Sequence, residues 1–326
     1  MELLPFVRAA CASLVLASVA PASAAELRAR VSSATSIACS EAVCDCLDAN
    51  QQPIACPATV VDQQDSGPSA VAVERTFENE IEAFFQALDG RTTTYVRTEG
   101  SAAFGTLHAL AVAHADAGGE WVANGGSASP GEAEGSVTVE QRDTLTIQSP
   151  SPEAPVQLVF TQSVTTRGEA GVGAGSAVDP CDANAAAEAR VSALLAVSST
   201  SQQGGALEYE RIVHSCNPPA VTGEPVATLP ITVLGGEQVT LAQVLEAEVS
   251  ARMDGGPFTD ARVLDADAYV DGAETVFVFV RVVTPGASYT AESGTVYPTP
   301  EPGALASAAA ALAALCAARR QRAGRT

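Results

Sequence analysis

For most of its length the chain alternates apolar and polar residues with a period of two. From Val137 to Ile147, the residues Val137, Val139, Leu145 and Ile147 are apolar, and Thr138, Glu140, Arg142 and Thr146 stand between them. The pattern returns from Val156 to Val164 with Leu158 and Phe160, and again where Leu264, Ala266, Ala268 and Val270 alternate with Val263, Asp265, Asp267 and Tyr269. Its longest run holds Val239, Leu241, Leu245, Ala247, Val249, Ala251 and Met253 at one parity, although Leu241, Val244 and Leu245 also fit a helical spacing. Successive side chains of a strand point to opposite faces, so each run predicts a strand with one buried face. From Val276 to Val283 every position but Arg281 is apolar, which predicts a central strand covered on both faces. Glycine pairs punctuate the runs, among them Gly118-Gly119, Gly204-Gly205, Gly235-Gly236 and Gly255-Gly256. Long alternating strands joined by such turns predict an all-β body, an antiparallel β-sandwich or jelly-roll-like fold.

A few stretches depart from that period. Phe77, Ile81, Phe84, Phe85 and Leu88 recur at helical spacing, with Glu74, Glu78, Glu80 and Glu82 on the other side and Asp89-Gly90 as a stop. This predicts one short amphipathic helix covering a sheet edge or a barrel end. Residues 58–70, with Asp62, Gln63, Gln64, Asp65 and Gly67-Pro68, read as a polar linker, and the run through Gly171, Gly173 and Gly175 as a loop. The Ala-rich stretch from Ala183 to Val197 suits helix and strand alike.

The two ends are of another kind. Arg8 precedes an apolar run over residues 9–20, and small residues at Ala22, Ala24 and Ala25 offer a cleavage site, the layout of a secretory signal peptide. Near the other end, residues 303–318 carry no charge and are followed by Arg319, Arg320, Arg322 and Arg325. As a helix this run reaches about 24 Å against about 30 Å of hydrocarbon, a short transmembrane helix, and the arginines hold its end on the cytoplasmic side. Just before it, Pro300-Glu301-Pro302 blocks regular pairing and predicts an extended, protease-accessible segment. The chain thus divides into a signal peptide at 1–25, a Cys-rich segment and linker at 26–70, a β-sandwich ectodomain at 71–298 and a processing segment at 299–326.

Pro300, Glu301 and Pro302, the short apolar helix and the arginine cluster resemble, in order and spacing, the PEP-CTERM sorting signal of Gram-negative bacteria. The resemblance implies export through the Sec translocon, signal-peptidase cleavage and transient anchoring in the inner membrane. It then implies recognition by an exosortase, a membrane transpeptidase that cuts near the Pro-Glu-Pro tripeptide. The body would pass to the cell surface or extracellular matrix as a biofilm or exopolysaccharide-associated protein without catalysis of its own. The stretch from Phe104 to His108 with that from Asp143 to Ile147 resembles a small-residue strand pair of such ectodomains. Ser288-Tyr289 and Ser293-Gly294-Thr295 resemble their final strand.

Charge narrows the partners. The chain has 38 acidic residues against 17 basic ones, all arginine, for a net charge of −21. No basic stripe is present to neutralise phosphates, which argues against nucleic acid. Cys39, Cys44, Cys46, Cys56, Cys181 and Cys216 remain between the two termini, an even number that in an exported chain reads as disulfides. The expectation is a knot among the first four and a bridge from Cys181 to Cys216. A zinc site at the first four is the alternative, without the usual paired C-x2-C spacing.

Motifs for chemistry are sparse. His108 and His114 lie six residues apart, roughly 20 Å along one strand face, too far to share a metal. No nucleophile elbow, His-Glu-x-x-His or phosphate loop occurs. Asp265, Asp267 and Asp271, near Gly-rich turns, are candidates for structural calcium, with Asp254 and Asp260 nearby; otherwise no cofactor is expected. Two further readings stay open. A carbohydrate-binding β-sandwich would expose Trp121 or Tyr95, Tyr209 and Tyr269 together, and a secreted hydrolase would bring carboxylates together in a pocket.

Overall fold

The computed structural model describes residues 25–37, 44–48, 53–54, 58–68, 75–87, 90–119, 130–174, 185–217, 219–253, 263–271 and 276–299. Two antiparallel sheets face each other. The first runs in the order β13 (Ala220–Thr222), β12 (Gly204–His214), β11 (Ala185–Ser199), β15 (Gln238–Met253), β8 (Gly131–Gln148), β1 (Glu26–Ile37) and β4 (Ala58–Pro68), with β18 (Ser288–Ala291) also on β8. The second runs β14 (Val226–Leu234), β9 (Pro155–Val164), β17 (Val276–Val282), β7 (Thr106–Gly119), β6 (Gly90–Ala103), β5 (Arg75–Ala87), β2 (Cys44–Asp48) and β3 (Pro53–Ile54). On its flank β16 (Val263–Asp271) pairs β7, and β10 (Arg167–Ala174) pairs β16.

The body is therefore the expected β-sandwich, and it is long. β8 has 18 residues, which at about 3.4 Å each span about 60 Å. Along it β1 covers residues 131–142, and β18 takes over the same edge for 145–148. In the facing sheet β7 meets β17 at two residue pairs only, so the sheet changes partners at the same level.

The core follows this division. Around β1, β6 and β7 it is built from small residues, including Ala109, Ala111, Ala113, Ala133 and Ala247. A second cluster at the other end contains Leu145, Ile147, Leu158, Phe160, Leu195 and Leu241. Between them the inward face of β8 carries Gln141 and Asp143, both buried. In the small-residue half the sheets approach closely: a Cβ added at Gly135 of β8 would stand 2.8 Å from Thr98 Cγ2 and 3.0 Å from Val96 Cγ2 of β6. There the buried hydroxyls of Ser33 and Thr98 meet at 2.7 Å from opposite sheets.

Several expectations are overturned. The stretch with the helical period is strand β5, and no described residue is helical. Phe77, Ile81, Ala83, Phe85 and Ala87 share one parity, while Glu78, Glu80, Glu82 and Gln86 hold the other; Arg75, Asn79 and Phe84 break the rule. The same letters carry both periods, and a full-length partner in β6 decides for strand. A lone helix of that length is marginal in water. The polar linker is β4, paired to β1 at the sheet edge, where polar side chains and a terminal Pro68 are tolerated. The 26–70 segment thus contributes strands to both sheets. The Gly171 and Gly173 loop belongs to β10. The Ala-rich stretch resolves as β11 between two long partners. β17 is covered on one face only: Val276, Val278 and Val280 are buried, while Phe277 is 37% exposed, because a two-layer sandwich leaves the outer face bare. Finally, the segments starting at Phe104 and Asp143 do not pair with each other; they lie in opposite sheets.

Candidate functional site

Two residues of the tail after β18, Ser293 and Tyr297, converge with β8 on one carboxylate. Asp143 is wholly buried. Its Oδ1 accepts the backbone N–H of Thr144 at 2.8 Å and of Ser293 at 3.1 Å; its Oδ2 accepts the Ser293 hydroxyl at 2.6 Å and the Tyr297 hydroxyl at 2.8 Å. A carboxylate has about four acceptor positions, so this group is saturated. Burial, followed by the neighbouring Asp143 charge, pushes the Tyr297 phenol far above its ordinary range. Tyr289 donates to the Tyr297 carbonyl at 3.2 Å and is itself raised, chiefly by burial. Next along β8, Gln141 accepts the Gly105 N–H at 2.6 Å and donates to Gln243 at 2.7 Å.

The local sequence explains the arrangement. A turn at Glu292 and Ser293 reverses the chain after β18, with Glu292 N–H on the Thr144 carbonyl and Gly294 N–H on that of Ala291. The tail then enters the gap that β7 leaves beside β17. Tyr297 lies against Gly105, whose carbonyl accepts Val278 N–H at 3.1 Å; the Pro298 carbonyl accepts Val280 N–H at 3.2 Å. It therefore runs alongside β17 toward Val283. Proline at 298 accepts there without needing to donate.

The second polar cluster is on the outer face of the other sheet. His114 of β7 lies directly across from Asp267 of β16, with Nδ1 2.6 Å from Asp267 Oδ1 and Nε2 3.7 Å from Asp116 Oδ1. Carboxylates at both ring nitrogens favour the imidazolium and raise His114 from 6.5 to about 10, Asp116 contributing most and Asp267 next. Tyr95 is paired across from His114 on its other side, and Tyr269 from Val112 two residues along, so both tyrosines share this face.

Of the calcium candidates, Asp267 is engaged by a cationic ring, which opposes a metal ion at that carboxylate. Asp265 and Asp271 sit on β16 across from Asp116 and Leu110, and Asp254 and Asp260 lie outside the described residues. No metal-holding group of three ligands occurs among the described residues. Tyr209 is buried, with its hydroxyl 3.3 Å from Thr166, and so is not part of an exposed aromatic set; Trp121 lies outside the described residues. The carboxylates of Asp116 and Asp267 flank His114 on an outer sheet face. Cys44 and Cys46 lie on β2 and Cys216 is exposed just beyond β12; Cys39, Cys56 and Cys181 fall outside the described residues. So do Ala22 and Ala24 of the signal cleavage site, Pro300, Glu301, Pro302 and all the terminal arginines, whereas Ala25 is buried at the start of β1.

No protein-family model, no curated protein and no solved structure matches this chain. Sequence reasoning missed both clusters. Ser293 and Tyr297 are 150 and 154 residues from Asp143, and Asp267 is 153 from His114, so only the pairing of strands unites them.

Proposed function

We propose that the chain is an exported, non-catalytic surface or matrix protein whose Pro300, Glu301 and Pro302, with the apolar run 303–318 and Arg319, Arg320 and Arg322, hand it to an exosortase-like transpeptidase. The observation that carries the reading is the order of parts at the C-terminus. A buried carboxylate fastens Ser293 and Tyr297, and the Pro-Glu-Pro tripeptide begins three residues after Tyr297. A body fastened as far as Tyr297, with the Pro-Glu-Pro tripeptide following in the sequence, suits a protease that must reach the tripeptide and spare the body. On this reading the signal peptide is removed near Ala22, Ala24 and Ala25, the body folds outside the cell, and its acidic surface keeps it soluble.

The test is the intact mass of the protein recovered outside its native host. A mass ending near Pro300, Glu301 or Pro302 is the expected result. A mass that retains Arg319 and the residues after it would overturn the sorting reading.

A second reading has one observation in its favour. Tyr95 and Tyr269 share the outer face that also holds His114 and Asp267, a layout suited to binding a sugar by ring stacking and charged hydrogen bonds. Binding on a glycan array that is lost in Y95A and Y269A would support it; no binding would remove it.

A further inference from the structure

The last described residues run beside β17 toward one end of the sandwich. Four connections are packed together there: residues 149–154, 199–203, 234–237 and 283–287. A Cβ at Gly235 would stand 2.7 Å from Ser149 Cβ and 3.2 Å from Pro152, and one at Gly286 would stand 3.2 Å from Pro150. Ser201 donates to Glu237 at 3.0 Å, and Gln157 N–H donates to the Thr284 hydroxyl at 2.9 Å. The tail, running alongside β17 toward Val283, is directed to this end.

The surface of this end carries little charge for so acidic a chain. Its four connections contain two charged residues, Glu153 and Glu237, and the second is held by Ser201. Leu234 is 46% exposed and Val283 39%, and Pro150, Pro152 and Pro285 are exposed beside them. Apolar side chains at loop tips, ringed by serine, threonine and proline, fit the headgroup boundary of a bilayer; a dense acidic surface is repelled from anionic lipid.

Chain length adds the second constraint. Three residues, Pro300 to Pro302, separate Thr299 from the uncharged run, and the four steps from Thr299 to Gly303, at about 3.3–3.6 Å each, reach about 14 Å at most. With residues 303–318 in a membrane, the body stands no farther off than that tether.

We propose that this loop end is a membrane-apposed surface, with Leu234 and Val283 seated in the headgroup region of the bilayer while the apolar segment is inserted. The inference rests on the anchoring step of the sorting reading. It assigns the anchored protein one orientation: long axis upright, with the His114 face standing to the side and the small-residue half of the core away from the lipid.

The experiment uses the full chain with Trp121→Phe, reconstituted into vesicles of phosphatidylcholine brominated on its acyl chains, and reads quenching of one introduced indole. L234W and V283W probe the loop end; N217W, beyond the far end of β12, is the reference. Emission of L234W and V283W is expected to fall at least about twofold, with N217W unchanged, since interfacial side chains sit within reach of the upper acyl chain. If the protein floats with the vesicles and all three positions keep their emission, the docking surface is overturned while the anchor stands. Equal quenching at all three overturns the upright orientation. If the protein does not float with vesicles at all, the anchor fails and the inference falls with it.

Discussion

Asp143 stands on the buried face of β8 between Gln141 and Leu145, and it stays there because every acceptor position is filled. Asp143→Asn keeps the shape but replaces one acceptor oxygen by a donor, facing hydroxyls that must then turn away. A hydrogen bond to a charged group contributes about 1.5–3 kcal/mol, so the loss is expected to be about 3 kcal/mol, seen as a fall in melting temperature of roughly 6–12 °C. Hydrogen exchange at residues 293–299 should quicken in the same variant. His114 makes a pH prediction. Its pKa is raised in the folded state, so its stabilising contribution is fully present below the ordinary value near 6.5 and is lost as pH rises through about 10. Melting temperature should decline over that window, and H114Q should flatten the decline; an NMR titration of the ring near 6.5 would refute it. Neither cluster could be found in the sequence by spacing. One sign of the first was available: Gln141 and Asp143 interrupt an otherwise apolar face between Val139 and Leu145.

Strands with clean alternation, β8, β9, β15 and β16, were legible because one face is buried and the other is not. Legibility failed where that asymmetry weakens. β5 carries a helical and a strand period in the same residues, and the choice belongs to its neighbour β6. β4 is an edge strand, polar enough to read as a linker. β17 is apolar on both faces although only one is covered, so burial on both sides was inferred where the structure leaves Phe277 and Phe279 as a tilted ring pair with centroids 6.2 Å apart. The close approach of β6 and β8 was written in small residues but gave no periodic signal. Its test is overpacking: Gly135→Val would drive methyl groups into Thr98, Val96 and Val249, and is expected to cost about 1–3 kcal/mol in a denaturant titration.

At the scale of the whole molecule, the sandwich joins the first described strand and the last described residues through β8. β1 lies along one part of it, while β18 and the tail complete the remainder. A chain cut after Glu292 would leave the Asp143 carboxylate with the Thr144 N–H alone, a buried acceptor without its other partners, whereas one ending at Thr299 keeps them all. The shorter form is expected to melt lower than the longer one, by at least the Asp143→Asn deficit, in calorimetry of the two. Synthesis delivers Ser293 and Tyr297 late, after nearly all the strands have been made. A chain interrupted before Ser293 therefore holds a buried carboxylate with one donor, and the β18 end of its sandwich is the last part to close.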